Sequence, residues 1–369
     1  MKIGIFTFAR VCNYGAVLQA YALKTSLERM GNSVEVVDHS PVRLRIGDWP
    51  LPVPVLSRHP SVLIRNVMSW IKHLPGQLWH LGLRIRRSGS FSSFRFRYLN
   101  LSRPVRGRSV RAYPYDVAIV GSDQVWNIGL TSGMDPFYWG TAFPAGVRCL
   151  AYGVSAGGSL RHVAASARCR RAIHRFDAVG VREQELKDAM LSDLPDDSPV
   201  VVDPVFLLSV DEWRSIECRP GWVGEEPFAF LYRVADSEPA RRTAESWARS
   251  RNLRMVELCI GENYPRKANE VYGIPPGEVI WLFDHATVVV AASFHGTALS
   301  LLFRKPFLAF GTGAPGDGRL KNLLELVGAS DNFHVKDCTD YPAEPVSEDG
   351  RLSDVRQASL VFLKRALTP

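Results

Sequence analysis

The sequence predicts an α/β protein with two doubly wound, Rossmann-like domains that face each other across a cleft. Its 369 residues exceed what one hydrophobic core usually organises, and they suit two domains of about 150–200 residues each. The 46% hydrophobic residues and the mean hydropathy of −0.05 are typical of a globular protein. In both halves, short β-branched runs alternate with helical patterns, and this alternation indicates parallel βαβ units.

The first half opens with a strand, a helix and a second strand. Residues 2–8 form an apolar run, and residues 15–30 place apolar side chains at the spacing of one helix face. Asn13 can cap the start of this helix and Gly31 its end. Residues 34–38 form the next strand, so the crossover should be right-handed and the strands parallel. Further strands are expected at 116–120, 149–153 and 179–181, with helices at 163–175 and 183–191.

A boundary between the two halves is indicated by the polar stretch SDLPDDSP and the Asp203-Pro204 pair that follows it. We assign residues 1–195 to the first domain and 196–369 to the second, with a C-terminal helix that is able to cross back. In the second half, strands are expected at 228–233, 254–259, 287–293 and 306–310, and helices at 238–251, 278–285, 296–304, 319–327 and 353–366.

The cysteines and the apolar segments favour a cytoplasmic protein. Six widely spaced cysteines form no CxxC pair, so neither a disulfide framework nor a structural zinc site is expected. Arg10 interrupts the first apolar run, which we interpret as a strand and not as a signal peptide. Residues 286–303 lack Asp, Glu, Lys and Arg. The His-Gly pair in their middle favours a buried strand, turn and helix over a transmembrane helix.

The positive charge is concentrated in one basic insertion at residues 41–111. The chain has 45 Lys and Arg against 37 Asp and Glu, a net charge of +8. The insertion holds fourteen of these bases and one acid, Asp48, so it carries +13 and the rest of the chain −5. Such charge suggests nucleic acid or an anionic membrane as partner. No nucleic-acid-binding fold signature accompanies the stretch FSSFRFRYL, so nucleic acid is not expected.

Within the basic insertion, apolar residues recur at helical spacing beside Arg65 and Lys72. Such a basic amphipathic helix either lies on an anionic membrane surface or packs on the first domain. The stripe consists of Leu63, Val67, Trp70, Ile71 and Leu74.

One glycine-rich segment matches a nucleotide-binding pattern only in its letters. Gly311-Thr-Gly-Ala-Pro-Gly316 reads GxGxxG after a strand, but Pro315 and Gly318 keep the chain in a loop. We therefore expect a glycine-rich loop at the rim of the cleft rather than a dinucleotide site. The sequence contains no Walker A or HExxH motif, and no metal site is expected.

Polar groups follow two strands of the first half. Asn13-Tyr14-Gly15 stands between the first strand and the first helix, where open α/β sheets bind ligands. The alternative is a simple cap and tight turn. Residues 121–127 (GSDQVWN) offer groups for sugar hydroxyls, with Trp126 as a stacking platform, or else form a turn that satisfies itself. Their polar members are Ser122, Asp123, Gln124 and Asn127.

The second half places a histidine at a strand-to-helix junction, in Ser293-Phe294-His295-Gly296. At a helix N-terminus negative charge is favoured, and Gly296 allows close approach of the backbone. The alternative is a buried structural histidine. Arg182, after the strand AVGV, and Arg319 and Lys321, after the glycine-rich loop, supply cations suited to a carboxylate or phosphate, or else form surface ion pairs.

Five segments occur in the order and spacing of one known family: NYGAVLQAYAL, GSDQVWN, AVGVRE, DPVFLL and SFHGTALSLLFRKPF. On these segments the chain resembles the polysaccharide pyruvyl transferase family, over residues 1–40 and 112–330. The resemblance implies a glycosyltransferase-B-like fold. It also implies transfer of the pyruvyl group of phosphoenolpyruvate onto two hydroxyls of a saccharide, giving a cyclic ketal and phosphate in cell-surface polysaccharide or exopolysaccharide biosynthesis. Phosphoenolpyruvate is then a co-substrate, and no other cofactor is expected.

Under this interpretation, His295 contacts phosphoenolpyruvate or donates a proton, and Asp123 is the candidate base. Phosphoenolpyruvate would be bound by Arg182, Ser293, His295, Gly296, Arg319 and Lys321. The acceptor sugar would be bound by Asn13, Tyr14, Gly15, Ser122, Gln124, Trp126 and Asn127. Family members often carry T-N-S before F-H-G, where this chain has Ala291-Ala292-Ser293.

The alternative function is a nucleotide-sugar glycosyltransferase, because two facing doubly wound domains serve that chemistry equally well. Phosphate release from phosphoenolpyruvate, against nucleoside diphosphate release from a sugar nucleotide, separates the two. If the acceptor is lipid-linked, the basic insertion would hold the enzyme at the inner face of the plasma membrane. The acceptor sugar, the ketal linkage and the oligomeric state stay open.

Overall fold

The computed structural model describes residues 1–41, 44, 60–105, 115–144, 146–234, 237–260, 265, 267–313, 317–338, 344–346 and 350–368. Parts of two predicted features lie outside these residues: 42–43, 45–59 and 106–111 of the basic insertion, and 314–316 of the glycine-rich loop. The described residues form two parallel sheets with helices, which confirms the predicted class of two doubly wound α/β domains.

The first sheet has five parallel strands in the order β2-β1-β3-β4-β5. They are β1 (Lys2–Phe6), β2 (Ser33–Val36), β3 (Val117–Val120), β4 (Arg148–Val154) and β5 (Ala178–Val181). Residues of β1, β3 and β4 are buried almost without alternation, as expected where helices cover both faces. The helices of this half are α1 (Tyr14–Arg29), α2 (Pro60–Trp79), α3 (Leu81–Phe94), α4 (Leu160–Ala165), α5 (Ala167–Ile173) and α6 (Gln184–Ala189).

The predicted helix at 163–175 is instead the pair α4 and α5. Ser166 leaves the helical conformation, with φ −87° and ψ 107°, and its Oγ accepts a hydrogen bond from the backbone N–H of Cys169. A serine in this position caps a new helix, so the chain bends here where the apolar pattern indicated one element.

The second sheet has six parallel strands in the order β11-β10-β9-β6-β7-β8. They are β6 (Phe228–Arg233), β7 (Arg254–Cys259), β8 (Glu270–Tyr272), β9 (Val288–Ala292), β10 (Phe307–Phe310) and β11 (Phe333–His334). The edge strands β8 and β11 have three and two residues, too few for a hydrophobic pattern. The helices are α7 (Val210–Arg214), α8 (Glu238–Ser250), α9 (Pro276–His285), α10 (Phe294–Leu302), α11 (Gly318–Leu326) and α12 (Arg351–Leu367).

Helix α1 joins the two domains. Asn13 caps its start by accepting a hydrogen bond from the N–H of Ala16. One continuous hydrophobic core contains Val17 of α1 together with Val205 and other residues of the second half. Within it, the rings of Tyr21 and Trp213 lie 5.6 Å apart. The start of α1 is therefore fixed against both domains.

Helix α12 packs on the sheet of the first domain. The ring centre of Phe362, on α12, lies 6.4 Å from that of Tyr152, on β4. At the C-terminal end of α12, the guanidinium of Arg148, also on β4, donates to the carbonyl oxygens of Ala366 and Leu367 at 2.7 and 3.2 Å. The C-terminus of the chain thus ends against the domain in which the chain begins.

Helices α2 and α3 belong to the basic insertion. In the predicted stripe of α2, Ile71 is exposed, whereas the other four members are half-buried. A helix long and apolar enough to cross a membrane is not found within the described ranges.

Candidate active site

The site is built where the two sheets turn their carboxyl ends toward each other. Strand order reverses between β1 and β3 in the first sheet and between β6 and β9 in the second. Open α/β sheets bind ligands outside the carboxyl ends of their strands at such points. The segments that follow these strands include residues 7–13, 121–127 and 293–296, which carry most of the predicted site residues.

Gly15 and His295 bring the two domains into contact. Helix α10 begins at Phe294, and the Oγ of its cap Ser293 accepts a hydrogen bond from the N–H of Gly296. A Cβ added to Gly15 would lie 2.2 Å from Nδ1 of His295 and 2.4 Å from its Cγ. A glycine is required here because no larger residue leaves room for the imidazole. The structure thus joins two motifs that lie 280 residues apart in the sequence.

A buried chain of charges supports His295. Its Nε2 lies 3.3 Å from Oδ2 of Asp203, and Asp203 forms an ion pair with Arg182, which also donates to the Oγ of Ser122. Burial alone would raise the pKa of Asp203. The charges of Arg182 and His295 and the backbone N–H of Val205 instead hold it well below the usual range. An ionised carboxylate this close to an imidazole restricts the orientation of the ring.

Arg182 was expected to reach into the cleft as an open cation, and the structure corrects this. Its side chain is 3% exposed, and its terminal nitrogens are engaged by Asp203 and Ser122. A guanidinium buried at the end of β5 finds its countercharge in a neighbouring carboxylate before any ligand arrives. Arg182 is therefore placed to hold Asp203 under His295.

Arg319 is the less engaged cation of the site. Its Nη1 lies 3.6 Å from Oδ1 of Asp123, and its Nε is buried without a hydrogen-bond partner among the described residues. The guanidinium groups of Arg319 and Arg182 both lie near the ring of Phe294, with their central carbons 5.6 and 5.2 Å from the ring centre. Lys321 is exposed, and its Nζ lies 5.1 Å from the ring of Phe333, so the structure does not bring Lys321 to this cluster.

Glu183 is a site residue that the sequence analysis missed. It follows Arg182 at the end of β5 and is 6% exposed. Burial raises the pKa of its carboxyl, against the lowering effects of Arg319, a hydrogen bond from Ser155 and Arg182. Oε1 accepts from the Oγ of Ser155 at 2.7 Å, whereas Oε2 is buried with no partner among the described residues. A buried acid with a raised pKa beside two arginines is typical of functional sites.

A family comparison covers most of the chain. The family model of the polysaccharide pyruvyl transferases matches residues 13–313, from the cap of α1 into the glycine-rich loop, and Arg319 lies just beyond the matched range. The chain belongs to this family. The resemblance carried by the five sequence segments is thereby confirmed. No curated protein has significant sequence similarity to the chain.

Several solved structures are similar to this chain at low sequence identity. The UDP-GlcNAc 2-epimerase from Neisseria meningitidis has 11% identity and a TM-score of 0.49, with both chains fully covered. The epimerase from Methanocaldococcus jannaschii has 10% identity and a TM-score of 0.47 over 97% of this chain and 99% of that one. Spinosyn forosaminyltransferase has 13% identity and a TM-score of 0.41 over 99% and 94%.

The segment 121–127 satisfies most of its own polar groups. Ser122 is fully buried, and its Oγ donates to the carbonyl oxygen of Gly153. Asn127 donates to Oε1 of Gln124 at 2.7 Å and accepts from the Oγ of Ser159 at 2.6 Å. The alternative of a self-satisfied turn therefore describes Ser122, Gln124 and Asn127 better than sugar binding does.

Trp126 is not an accessible stacking platform. It is fully buried and stacks on Trp139 with ring centres 5.0 Å apart, and its Nε1 donates to the carbonyl oxygen of Tyr138. A turn that follows a buried strand carries its large apolar side chains back into the core. The expectation that Trp126 stacks on an acceptor sugar is wrong for this structure, and Trp126 is a core residue.

Tyr14 and Gly296 also act mainly in packing. The hydroxyl of Tyr14 is buried, donates to the carbonyl oxygen of Ile274 at 2.9 Å, and has its pKa raised by burial. A Cβ on Gly296 would lie 2.7 Å from Cδ1 of Tyr232, so this glycine lets α10 pack on β6 rather than admitting a ligand. Asn13 is half-buried at the cap of α1, two residues before Gly15, the residue that contacts His295.

Proposed function

We propose that the protein transfers the pyruvyl group of phosphoenolpyruvate onto two hydroxyls of a saccharide, forming a cyclic ketal and releasing phosphate, in the biosynthesis of a cell-surface polysaccharide. The observation that carries the proposal is the cluster of His295, Asp203, Arg182 and Arg319 at the cleft of a pyruvyl transferase family member. In this cluster His295 lies beside the ionised carboxylate of Asp203. Arg319 has only a long contact with Asp123, which an anionic substrate could replace.

Arg319 is the proposed binding group for an anionic part of phosphoenolpyruvate. Its contact with Asp123 is 3.6 Å, longer than a hydrogen-bonded ion pair. A carboxylate or phosphate bound through two parallel N–H groups would replace that contact. The starts of α1 and α10 add the positive ends of two helix dipoles at the same place. Replacement of the ion pair would release the carboxylate of Asp123.

His295 is the proposed proton donor. Protonation of C3, the methylene carbon of phosphoenolpyruvate, uses the electrons of the C2–C3 double bond and leaves C2 as an oxocarbenium-like centre. A first saccharide hydroxyl forms a bond to C2 and gives its proton to Asp123, the proposed base. A second hydroxyl then attacks C2, the bond from C2 to the phosphate oxygen breaks, and the ketal closes. Of the two hydroxyl protons, one balances the proton that His295 gives to C3. The other leaves with the released phosphate.

Glu183 is proposed to control the charge felt by the substrate. Burial raises the pKa of this carboxyl, so it takes up a proton more readily than an exposed glutamate does. In the protonated form it leaves the charge of Arg319 available to an anion. In the ionised form it competes with that anion for Arg319.

The experiment incubates the protein with phosphoenolpyruvate and candidate nucleotide-linked or lipid-linked saccharides. The expected result is release of phosphate together with a product heavier than the acceptor by one pyruvate less one water, seen by mass spectrometry. His295→Ala is expected to abolish both signals. His174→Ala is the matched control, because the side chain of His174 is 61% exposed and lies outside the cluster.

Two outcomes would contradict the proposal. One is release of a nucleoside diphosphate from a sugar nucleotide with no phosphate released from phosphoenolpyruvate, which is the result that the glycosyltransferase alternative requires. The other is ketal formation by His295→Ala at the rate of the His174→Ala control.

A further inference from the structure

Helix α2 presents an apolar face to solvent. Ile64, Met68, Ile71 and Leu78 are spaced so that they share one side of the helix, and they are 64, 62, 52 and 48% exposed. Trp79, at the end of the helix, is 86% exposed. Exposed large apolar residues elsewhere in the described chain, such as those on other helices, do not recur in this way. A contiguous apolar face on a protein surface marks an interaction site.

Positive charge lines this face. Arg65 and Lys72 are exposed and stand seven residues apart, next to the apolar side chains on the same helix. The chain contains no Asp or Glu between residues 49 and 115, whereas the rest of the chain outside the basic insertion carries a net charge of −5. Helices α2 and α3 therefore carry positive charges and no acid that would offset them.

Helix α3 fixes α2 to the body of the protein. The guanidinium of Arg87 donates to the carbonyl oxygen of Cys12 at 3.1 Å and to the hydroxyl of Tyr272 at 3.2 Å. The Oγ of Ser90 donates to the carbonyl oxygen of Gly273 at 2.7 Å, and a Cβ on that glycine would lie 2.9 Å from Cα of Arg87. Helix α3 thus contacts both domains and leaves α2 as the outer layer.

We infer that the apolar and basic face of α2 binds the surface of an anionic lipid bilayer. A helix with this pattern lies in the plane of the interface, with apolar side chains at the level of the acyl boundary and Lys and Arg among the headgroups. The consequence for the substrate rests on the proposed function: the saccharide acceptor is carried on a lipid in the same bilayer.

The charge distribution favours a bilayer over the other occupants of such a face. A second copy of the chain, docked through the same face, would bring Arg65 and Lys72 against the same two cations, and the repulsion would oppose the contact. Nucleic acid would neutralise Arg65 and Lys72 but would leave Ile64, Met68 and Ile71 without apolar partners. Anionic lipid satisfies both the charged and the apolar side chains.

The test is flotation of the whole protein with vesicles of phosphatidylcholine alone or with 30% phosphatidylglycerol (about one anionic lipid in three). We expect flotation with the anionic vesicles and little with the neutral ones. Arg65→Gln with Lys72→Gln should weaken binding roughly 25-fold, since each charge near such a surface contributes about fivefold. Ile64→Ser with Met68→Ser and Ile71→Ser should weaken it by more than about tenfold.

The matched control is Leu191→Ser with Val361→Ser, which removes two exposed apolar side chains that lie outside the insertion, 65 and 54% exposed. All substituted residues are exposed, so the variants should fold like the wild type, which thermal unfolding checks. The inference is overturned if the α2 variants float as the control does, or if neutral vesicles bind equally well. It is also overturned if sedimentation shows a dimer that the triple serine variant converts to a monomer, since the face then binds a second copy.

A parallel measurement separates this inference from the proposed function. Phosphate release from phosphoenolpyruvate with a soluble saccharide should be the same in the wild type and the α2 variants, and only activity on a vesicle-borne acceptor should fall. Vesicle binding without phosphate release would reject the proposed function and keep the docking surface. Phosphate release without vesicle binding would do the reverse.

Discussion

Gly15→Ala tests whether the contact between α1 and His295 positions the imidazole for catalysis. The new Cβ would lie 2.2 Å from Nδ1, whereas ordinary van der Waals contact begins at 3.4 Å. The imidazole or the helix therefore has to move by about 1.2 Å, the difference between these two distances. Because Nε2 already lies 3.3 Å from Oδ2 of Asp203, the ring has little room on that side.

The effect on activity should be large and the effect on stability small. A displacement of about 1 Å at a reacting group costs roughly 100-fold in rate, and we expect this loss in kcat for ketal formation. Overpacking at the contact costs about 1–3 kcal/mol of unfolding free energy, and replacing a helical glycine by alanine returns up to about 1 kcal/mol. The net loss of stability should therefore stay below about 2 kcal/mol.

The assay combines phosphate release kinetics with urea unfolding of the same preparations. Gly89→Ala is the matched control, because Gly89 is also helical and a Cβ there would meet nothing within 4 Å. It should keep wild-type kcat and gain a little stability. Wild-type kcat in Gly15→Ala would refute the reasoning, and so would a loss of activity explained by unfolding.

The remaining predictions concern single side chains of the site and its support. His295→Ala should lower phosphate release by at least about 10²–10⁴-fold while the protein stays folded, and wild-type phosphate release would contradict its role. Because His295 helps to hold the pKa of Asp203 low, a small fall in the urea midpoint should accompany the substitution. Asp203→Asn leaves Arg182 buried without its countercharge and should cost about 3–5 kcal/mol in urea unfolding. Because the folded pKa of Asp203 is lowered, the wild type should lose stability as the pH falls below about 4, and the Asp203→Asn profile should be flatter there. The pKa of Glu183 is raised in the folded protein, so the wild type should lose stability as the pH rises above about 4.3. Glu183→Gln should not show this loss, and parallel stability profiles of the two proteins would contradict the reasoning. Trp126→Ala should lower the unfolding free energy by about 3–5 kcal/mol, because Trp126 is a core residue. A raised KM for the acceptor with unchanged stability would instead show that Trp126 binds the sugar.

The strand-rich part of the fold could be predicted from local pattern. Strands such as β3 and β9 are short, continuous apolar runs, and each ends at the polar residues that form the site. The edge strand β11 could not be found, because two residues carry no period and their strand conformation depends on pairing with β10. The break between α4 and α5 was also missed, since the cap at Ser166 competes with an apolar spacing that runs through it.

The site was predictable where a motif fixes the backbone, and less so where tertiary packing decides which atoms are free. His295 lies at the junction that its strand-to-helix position indicated. The sequence could not show that Arg182 forms an ion pair with Asp203. The two residues meet only when the chain around Asp203 folds against the end of β5. It could not show that Trp126 faces the core, because its partner Trp139 lies further along the long connection between β3 and β4 and meets it only when that connection folds back. The acid Glu183 stood inside a quoted motif, and its position directly after Arg182 was the available signal.

The basic insertion is tied to the chemistry by where α3 is anchored. Arg87 binds the carbonyl oxygen of Cys12, the residue before the cap of α1, and the ring of Phe91 lies 4.8 Å from that of Tyr14. Both contacts therefore reach the end of α1 at which Gly15 meets His295. A bilayer bound along α2 would lie one helix away from this end of the cleft. A saccharide carried on a lipid of that bilayer would therefore reach the site while its lipid stays in the membrane. A segment that differs from the rest of the chain in charge is thus joined in space to the residues proposed to do the chemistry.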